Sequence, residues 1–103
     1  VLFGGPMTGV IRQGTLGIKK KGSIENRWFV LRPGYLDYYA SEADLANRVP
    51  SRGRLQLDEV ESFEVTKGEF FFQTIKRNFT VIPEESERLA WARDFKSAIA
   101  GAR

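Results

Sequence analysis

Short segments in which apolar and polar residues alternate, each followed by turn residues, fill most of this chain. Alternation puts every second side chain on the same face, so each segment predicts a half-buried β-strand. Pro33-Gly34 and Lys67-Gly68 are turn dipeptides that join neighbouring strands as hairpins. The predicted strands are 14–20, 27–31, 35–40, 53–57, 60–66, 69–75 and 79–82. They indicate an antiparallel meander, in which 22–26 is a polar loop and 41–47 a loop with one helical turn.

The end of the chain follows a different period. Trp91, Phe95 and Ile99 recur every four residues within 84–100, among charged residues, and Gly101 follows them as a stop. This apolar stripe predicts one amphipathic α-helix. We therefore predict an all-β fold with one C-terminal α-helix, in which Trp91 and its neighbours plug one end of a small barrel.

The composition makes an enzyme the less favoured class of protein. The 103 residues include no cysteine and no histidine, which removes disulfides, thiolate metal sites and the commonest general base. We expect no catalytic residues, no metal and no cofactor. The acidic residues Asp58, Glu59, Glu61 and Glu64 are interpreted as a solvated face. Phe70, Phe71 and Phe72 are interpreted mainly as core and sheet-face packing, with Phe71 on the opposite face from the other two.

Basic residues concentrate in the first half of the chain. Residues 1–52 contain 8 Lys and Arg against 4 Asp and Glu, and residues 53–103 contain 8 against 9. Lys19, Lys20 and Lys21 stand in a row before a turn at Gly22. Three adjacent like charges repel one another, so the run predicts either a solvated turn or an anion-binding loop. The candidate partners are an anionic membrane, a phosphorylated ligand and, less favoured, nucleic acid.

Residues 1–7 resemble the linker that remains after cleavage of an expression tag, with Gly4 in place of the glutamine of the sequence Leu-Phe-Gln-Gly-Pro. The predicted domain organisation is therefore a tag remnant at 1–7 and one domain at 8–103.

Several motifs, taken in order, resemble the pleckstrin homology (PH) domain. They are 14–16 (Gly-Thr-Leu), 27–31 (Arg-Trp-Phe-Val-Leu), 36–39 (Leu-Asp-Tyr-Tyr), 53–57 (Gly-Arg-Leu-Gln-Leu), 77–79 (Arg-Asn-Phe) and the helix residue Trp91. The resemblance implies a seven-stranded bent barrel capped by a C-terminal helix. It also implies a binding module: many members bind phosphoinositide headgroups at the open end of the barrel, and others bind proteins.

The charge pattern and the resemblance together give the candidate ligand residues. Ligands for phosphate or anionic lipid are predicted at Lys19, Lys20 and Lys21 from the lysine run, and at Arg27, Tyr38 and Arg52 from the resemblance. Two positions depart from the basic pattern of lipid-binding members, because Ile18 and Glu25 stand where that pattern has cations. An alternative outer site, which some members use, would comprise Lys19, Lys21 and Lys67, with Ile24 inserting into the membrane.

The resulting prediction is a cytoplasmic module, peripheral to a membrane, that recognises phosphoinositides or anionic phospholipid headgroups through the loop between its first two strands. The alternative is a protein–protein interaction module with the same fold and little specific phosphoinositide binding. Ile18 and Glu25 favour the alternative, and the triple lysine favours lipid.

Overall fold

One antiparallel sheet of seven strands makes up most of the computed structural model, which describes residues 9–103. The predicted tag remnant lies outside the described residues. The strands are β1 (Arg12–Lys20), β2 (Ser23–Arg32), β3 (Tyr35–Tyr39), β4 (Gly53–Gln56), β5 (Val60–Thr66), β6 (Glu69–Thr74) and β7 (Asn78–Pro83). Their order in the sheet is β4-β3-β2-β1-β7-β6-β5. The edge strands β4 and β5 do not pair with each other, so hydrogen bonds do not close the bent sheet into a barrel.

In residues 9–103 three short helical elements and one long helix accompany the sheet. Helix α1 (Glu42–Ala46) is the helical turn predicted within 41–47, and it begins where the hydroxyl of Ser41 accepts a 3.2 Å hydrogen bond from the backbone N–H of Asp44. Helix α2 (Arg88–Gly101) follows a 3₁₀ turn at Glu85–Glu87, so the regular helix begins later than its predicted start. A second 3₁₀ turn, Leu57–Glu59, connects β4 to β5.

The predicted polar loop at 22–26 was wrong. β2 begins at Ser23, which pairs with Lys20 across a two-residue turn, and Ile24 pairs with Lys19. Gly22 makes the turn possible because its φ of 83° lies in the left-handed region that glycine adopts without strain. The hairpin ladder therefore continues to Lys20, only Lys21 and Gly22 form the turn, and the residues from Ser23 onward lie on a strand.

Helix α2 supplies the plug predicted from its apolar stripe. Trp91 is 2% exposed, and its ring stacks on that of Phe95 at a centroid distance of 5.2 Å. Phe95 in turn meets Phe70 and Phe72 edge-on, at centroid distances of 5.6 and 5.1 Å. Phe71 lies on the other face of β6, where it pairs with Thr80. The core thus consists of inward-facing strand residues closed by one side of a helix.

An ion pair ties α2 to β1. The guanidinium of Arg12 donates a 2.6 Å hydrogen bond to Asp94 and contacts Glu87 at 3.2 Å. Burial by itself raises the pKa of Asp94, but hydrogen bonds from Arg12 and Arg93 outweigh it and hold that pKa below its ordinary value. A carboxyl whose folded-state pKa is depressed stabilises the fold above its unfolded pKa, and this contribution is lost as the pH falls through the folded-state pKa.

We predict that Asp94→Asn lowers the free energy of unfolding by about 1–2 kcal/mol at neutral pH, because it leaves Arg12 without its closest partner. Urea unfolding measures the difference between variant and wild type. That difference shrinks as the pH falls through the depressed folded-state pKa of Asp94, where the wild-type carboxyl also becomes protonated.

Glu87→Gln is the matched control, because Glu87 contacts the same guanidinium from an exposed position. Its cost is expected to stay below about 0.5 kcal/mol. A cost of Asp94→Asn that is equal at neutral and strongly acidic pH would contradict the charge-based explanation.

Candidate anion-binding site

The connections β1–β2, β3–β4 and β6–β7 lie at one end of the sheet because β1 pairs on both sides. Ile18 pairs with Glu25 of β2 and with Val81 of β7, so the end of β1 lies beside the start of β7. The end of β3 lies at the same end of the sheet, since Tyr38 pairs with Phe29 of β2 and with Gly53 of β4. We call this region the open end.

A cavity of about 250 Å³ lies at the open end. Its floor is apolar and includes Phe29, Leu36 and Val81. Lys20 borders it because the pleat of β1 gives Lys20 the same face as Ile18 and the buried Leu16. The polar residues at its border are Lys19, Lys20, Tyr38, Arg54, Arg77 and Asn78. We call this cavity the mouth.

Lys20 and Arg77 give the mouth its positive charge. None of the carboxylates in residues 9–103 forms an ion pair with Lys20, with Arg77 or with the neighbouring Lys21. The guanidinium of Arg77 lies 5.5 Å from the centre of the Phe79 ring, a cation–π contact that leaves its hydrogen-bond donors available. These cations can therefore bind an incoming anion without first breaking an ion pair.

Arg54 also borders the mouth, but its charge is already engaged. Its guanidinium makes a two-point contact with Asp37, at 2.6 and 2.9 Å, and lies 4.0 Å above the ring of Tyr35. The hydrogen bond with Asp37 raises the pKa of Arg54. Arg54 therefore stabilises the outer surface of β3 and β4 more than it charges the mouth.

Tyr38 is held in place by its neighbours. Its ring stacks on that of Phe29 at a centroid distance of 5.4 Å. The ring also covers Gly53, where a Cβ atom would come within 2.5 Å of the tyrosine Cε1. Glycine is required at position 53 because any side chain there would displace Tyr38. The predicted headgroup contact from the Tyr38 hydroxyl stays a prediction, and the geometry places that residue at the mouth.

Arg27, one of the ligand residues that the resemblance implies, is engaged elsewhere. It contacts Glu25 at 3.1 Å and donates a 2.8 Å hydrogen bond to the backbone carbonyl of Asn26. It borders a shallow depression next to Ser41 and Glu42, and it does not border the mouth. Any phosphate binding by Arg27 would have to compete with the carboxylate of Glu25.

The predicted outer site contains carboxylates as well as cations. Lys19 and Lys67 border a second cavity, of about 330 Å³, together with Glu64 and Glu69. The ammonium of Lys19 lies 3.3 Å from both carboxylate oxygens of Glu69. Lys21 does not border this cavity. The outer site stays a prediction, and its two cations face two carboxylates.

Two further candidates lie near the open end without bordering the mouth. Arg52 is exposed, and its backbone N–H donates a 2.8 Å hydrogen bond to the carbonyl of Tyr38. Ile24 lies within β2 at 57% exposure, and its side chain leans over Gly17, where an added Cβ would approach it to 2.7 Å. Glycine at position 17 therefore makes room for Ile24 on the outer face of the hairpin.

The sequence reasoning missed Arg77 and Asn78 as site residues. It assigned both to a turn, and the basic character of that turn was the available signal. Only the pairing of β1 with β7 brings this turn beside Lys20, and such a long-range pairing has no local signature. Within residues 9–103 no group of three acidic side chains could hold a metal ion, and no helix is long and apolar enough to cross a membrane.

We predict that Gly53→Ala destabilises the domain by about 1–3 kcal/mol, because the new methyl group forces Tyr38 off Phe29. Unfolding in urea measures the loss, and the ring resonances of Tyr38 report the displacement. Gly101→Ala is the control, since nothing lies within 4 Å of a Cβ there and alanine favours a helix. Equal stability of the Gly53→Ala variant and the wild type would contradict the proposed role of Gly53.

A comparison of the sequence with protein-family models finds no match, and neither does a comparison with curated protein sequences. Solved structures, in contrast, are similar along most of the chain. The PH domain of human KIAA0053 protein is 19% identical, with a TM-score of 0.74, over 90% of this chain and 91% of that one. The PH domain of human pleckstrin homology domain-containing protein family A member 5 is 19% identical, with a TM-score of 0.75, over 97% of this chain and 84% of that one.

The C-terminal PH domain of pleckstrin, solved in complex with D-myo-Ins(1,2,3,4,5)P5, is 24% identical, with a TM-score of 0.69, over 86% of this chain and 97% of that one. Identities this low establish the fold and leave the ligand open. The fold predicted from the sequence motifs is confirmed: this chain has the fold of a pleckstrin homology domain.

Proposed function

We propose that this domain is a non-catalytic module that binds anionic phospholipid headgroups, phosphoinositides among them, at the mouth. The observation that carries the proposal is that Lys20 and Arg77 border a cavity at the open end and that no carboxylate of residues 9–103 pairs with either of them. Lys21 adds a third such charge at the adjacent turn. The inositol phosphate complexes of the pleckstrin domain support a phosphorylated ligand for this fold.

The electrostatics favour the mouth over the two other candidate positions. An anion at Arg27 would displace Glu25, and an anion at Lys19 would displace Glu69. An anion at Lys20 and Arg77 displaces only water. Near an anionic surface each basic residue contributes about 1 kcal/mol, so the cations of the mouth give salt-sensitive binding.

At Ile18, one of the two positions that depart from the basic pattern of lipid-binding members, the lining of the mouth is apolar. Ile18 lines the mouth where that pattern has a lysine, so the floor of the cavity offers an apolar surface. We infer that phosphate contacts are confined to the rim, and that binding depends more on the charge density of the membrane than on the stereochemistry of one headgroup.

We predict that Lys20→Glu and Arg77→Glu each weaken binding to anionic vesicles roughly tenfold or more, because each reverses a charge at the mouth. Co-sedimentation with phosphatidylcholine vesicles, with and without phosphatidylserine and phosphatidylinositol bisphosphate, measures the effect at two salt concentrations. Lys96→Glu is the control, since it makes the same charge change on an exposed position of α2.

Three outcomes separate the alternatives. If Lys20→Glu and Arg77→Glu lose vesicle binding while Lys96→Glu binds nearly as well as wild type, the mouth is supported as the binding site. Loss in Lys19→Glu and Lys67→Glu, with the mouth variants unaffected, would move the site to the outer cavity. If the wild-type domain binds no anionic vesicle at low salt, the proposal is contradicted. The protein-interaction function, the alternative predicted from the sequence, would then remain.

A further inference from the structure

The turn between β6 and β7 exposes Ile75, which lies within the strand predicted at 69–75. β6 ends at Thr74, and Ile75 is 80% exposed. Thr74 closes the turn: its backbone N–H and its hydroxyl both donate to the carbonyl of Arg77, at 2.9 and 2.6 Å, and its hydroxyl accepts from the Arg77 N–H at 3.0 Å. A turn closed by these hydrogen bonds keeps the side chain of Ile75 exposed to solvent and prevents it from packing onto the sheet.

This turn is part of the open end. Arg77 and Asn78 border the mouth together with Lys20, so Ile75 lies two residues along the chain from a residue at the border of the mouth. Two cations follow it directly in the chain, Lys76 and Arg77. The ammonium of Lys76 lies 3.7 Å from the carboxylate of Glu59, a long ion-pair distance, and its side chain is 78% exposed. The turn therefore presents one apolar side chain immediately beside cations.

The other strongly exposed apolar side chains differ in their surroundings. Leu89 is also 80% exposed, but it lies in the first turn of α2. The neighbouring Arg88 reaches Gly68 of the β5–β6 turn, at the opposite end of β6 from Ile75. Ile24 is less exposed and leans over Gly17. Of these three, Ile75 is the side chain that projects beside the mouth without a covering neighbour.

We propose that the β6–β7 turn is a membrane-inserting tip, with Ile75 entering the interfacial region of an anionic bilayer while Lys76 and Arg77 contact lipid phosphates. This proposal rests on the proposed function and adds the orientation in which the domain meets its membrane. A single apolar residue flanked by cations matches the interfacial elements of peripheral proteins. It offers too little apolar surface for the buried core of a stable protein–protein interface.

The absence of cysteine from the chain makes the test direct. Ile75→Cys and Leu89→Cys each introduce one thiol, which is labelled with an environment-sensitive fluorophore such as NBD. With phosphatidylcholine vesicles that contain phosphatidylserine and phosphatidylinositol bisphosphate, we expect the label at position 75 to brighten and shift to the blue. Nitroxide-bearing lipids should quench it. The label at position 89 should do neither, although it starts from equal exposure.

Binding of the unlabelled variants provides a second readout. Ile75→Ser is expected to bind these vesicles roughly tenfold more weakly than wild type, since it removes the inserted side chain, while Leu89→Ser binds as wild type. The insertion would be overturned if the domain binds vesicles while the label at position 75 stays in water and Ile75→Ser binds as tightly as wild type. The mouth would then remain the binding site. Absence of vesicle binding by the wild type would overturn both proposals.

Discussion

The pairing of β1 with two neighbours at once is the constraint on which the rest of the structure depends. β1 bonds to β2 along its whole length and to β7 near its end, where Ile18 pairs with both Glu25 and Val81. The first pairing builds the lysine-bearing hairpin, and the second brings the β6–β7 turn beside it. Without the second contact, Lys20 and Arg77 would lie on separate parts of the sheet, and the mouth would not exist.

Because of the pleat of β1, the neighbouring residues Lys19 and Lys20 have different surroundings. Successive residues of β1 point to opposite faces. Lys20 lies on the face of the buried Leu16 and has no carboxylate partner within residues 9–103, whereas Lys19 also borders the mouth but its ammonium contacts Glu69 on the outer side. Glu25 and Arg27 are two residues apart on β2, hence on one face, and they pair with each other. A run of basic residues is therefore not one basic patch: partners from distant strands decide which charges stay available to a ligand.

Local patterns predicted most of the fold but little of the site. Alternation, turn dipeptides and the stripe of Trp91 are local, and they placed the seven strands and the plugging helix. The contact between Lys19 and Glu69 joins residues 50 positions apart, and no local sequence pattern predicts it. The same holds for Arg77 beside the β1–β2 hairpin. Ile75 was assigned to a strand because hydrophobicity alone does not reveal that a neighbouring threonine ends the strand and closes the turn.

The proposed function depends on anion binding at the mouth. This binding can be measured by titrating the ¹⁵N-labelled domain with a soluble inositol polyphosphate and following the amide chemical shifts. We expect saturable shifts for Lys20, Arg77 and Asn78, with the amides of Lys67 and Glu69 unchanged. Shifts confined to Lys67, Glu69 and their neighbours, or no saturable shift at any amide at low salt, would contradict the proposed function.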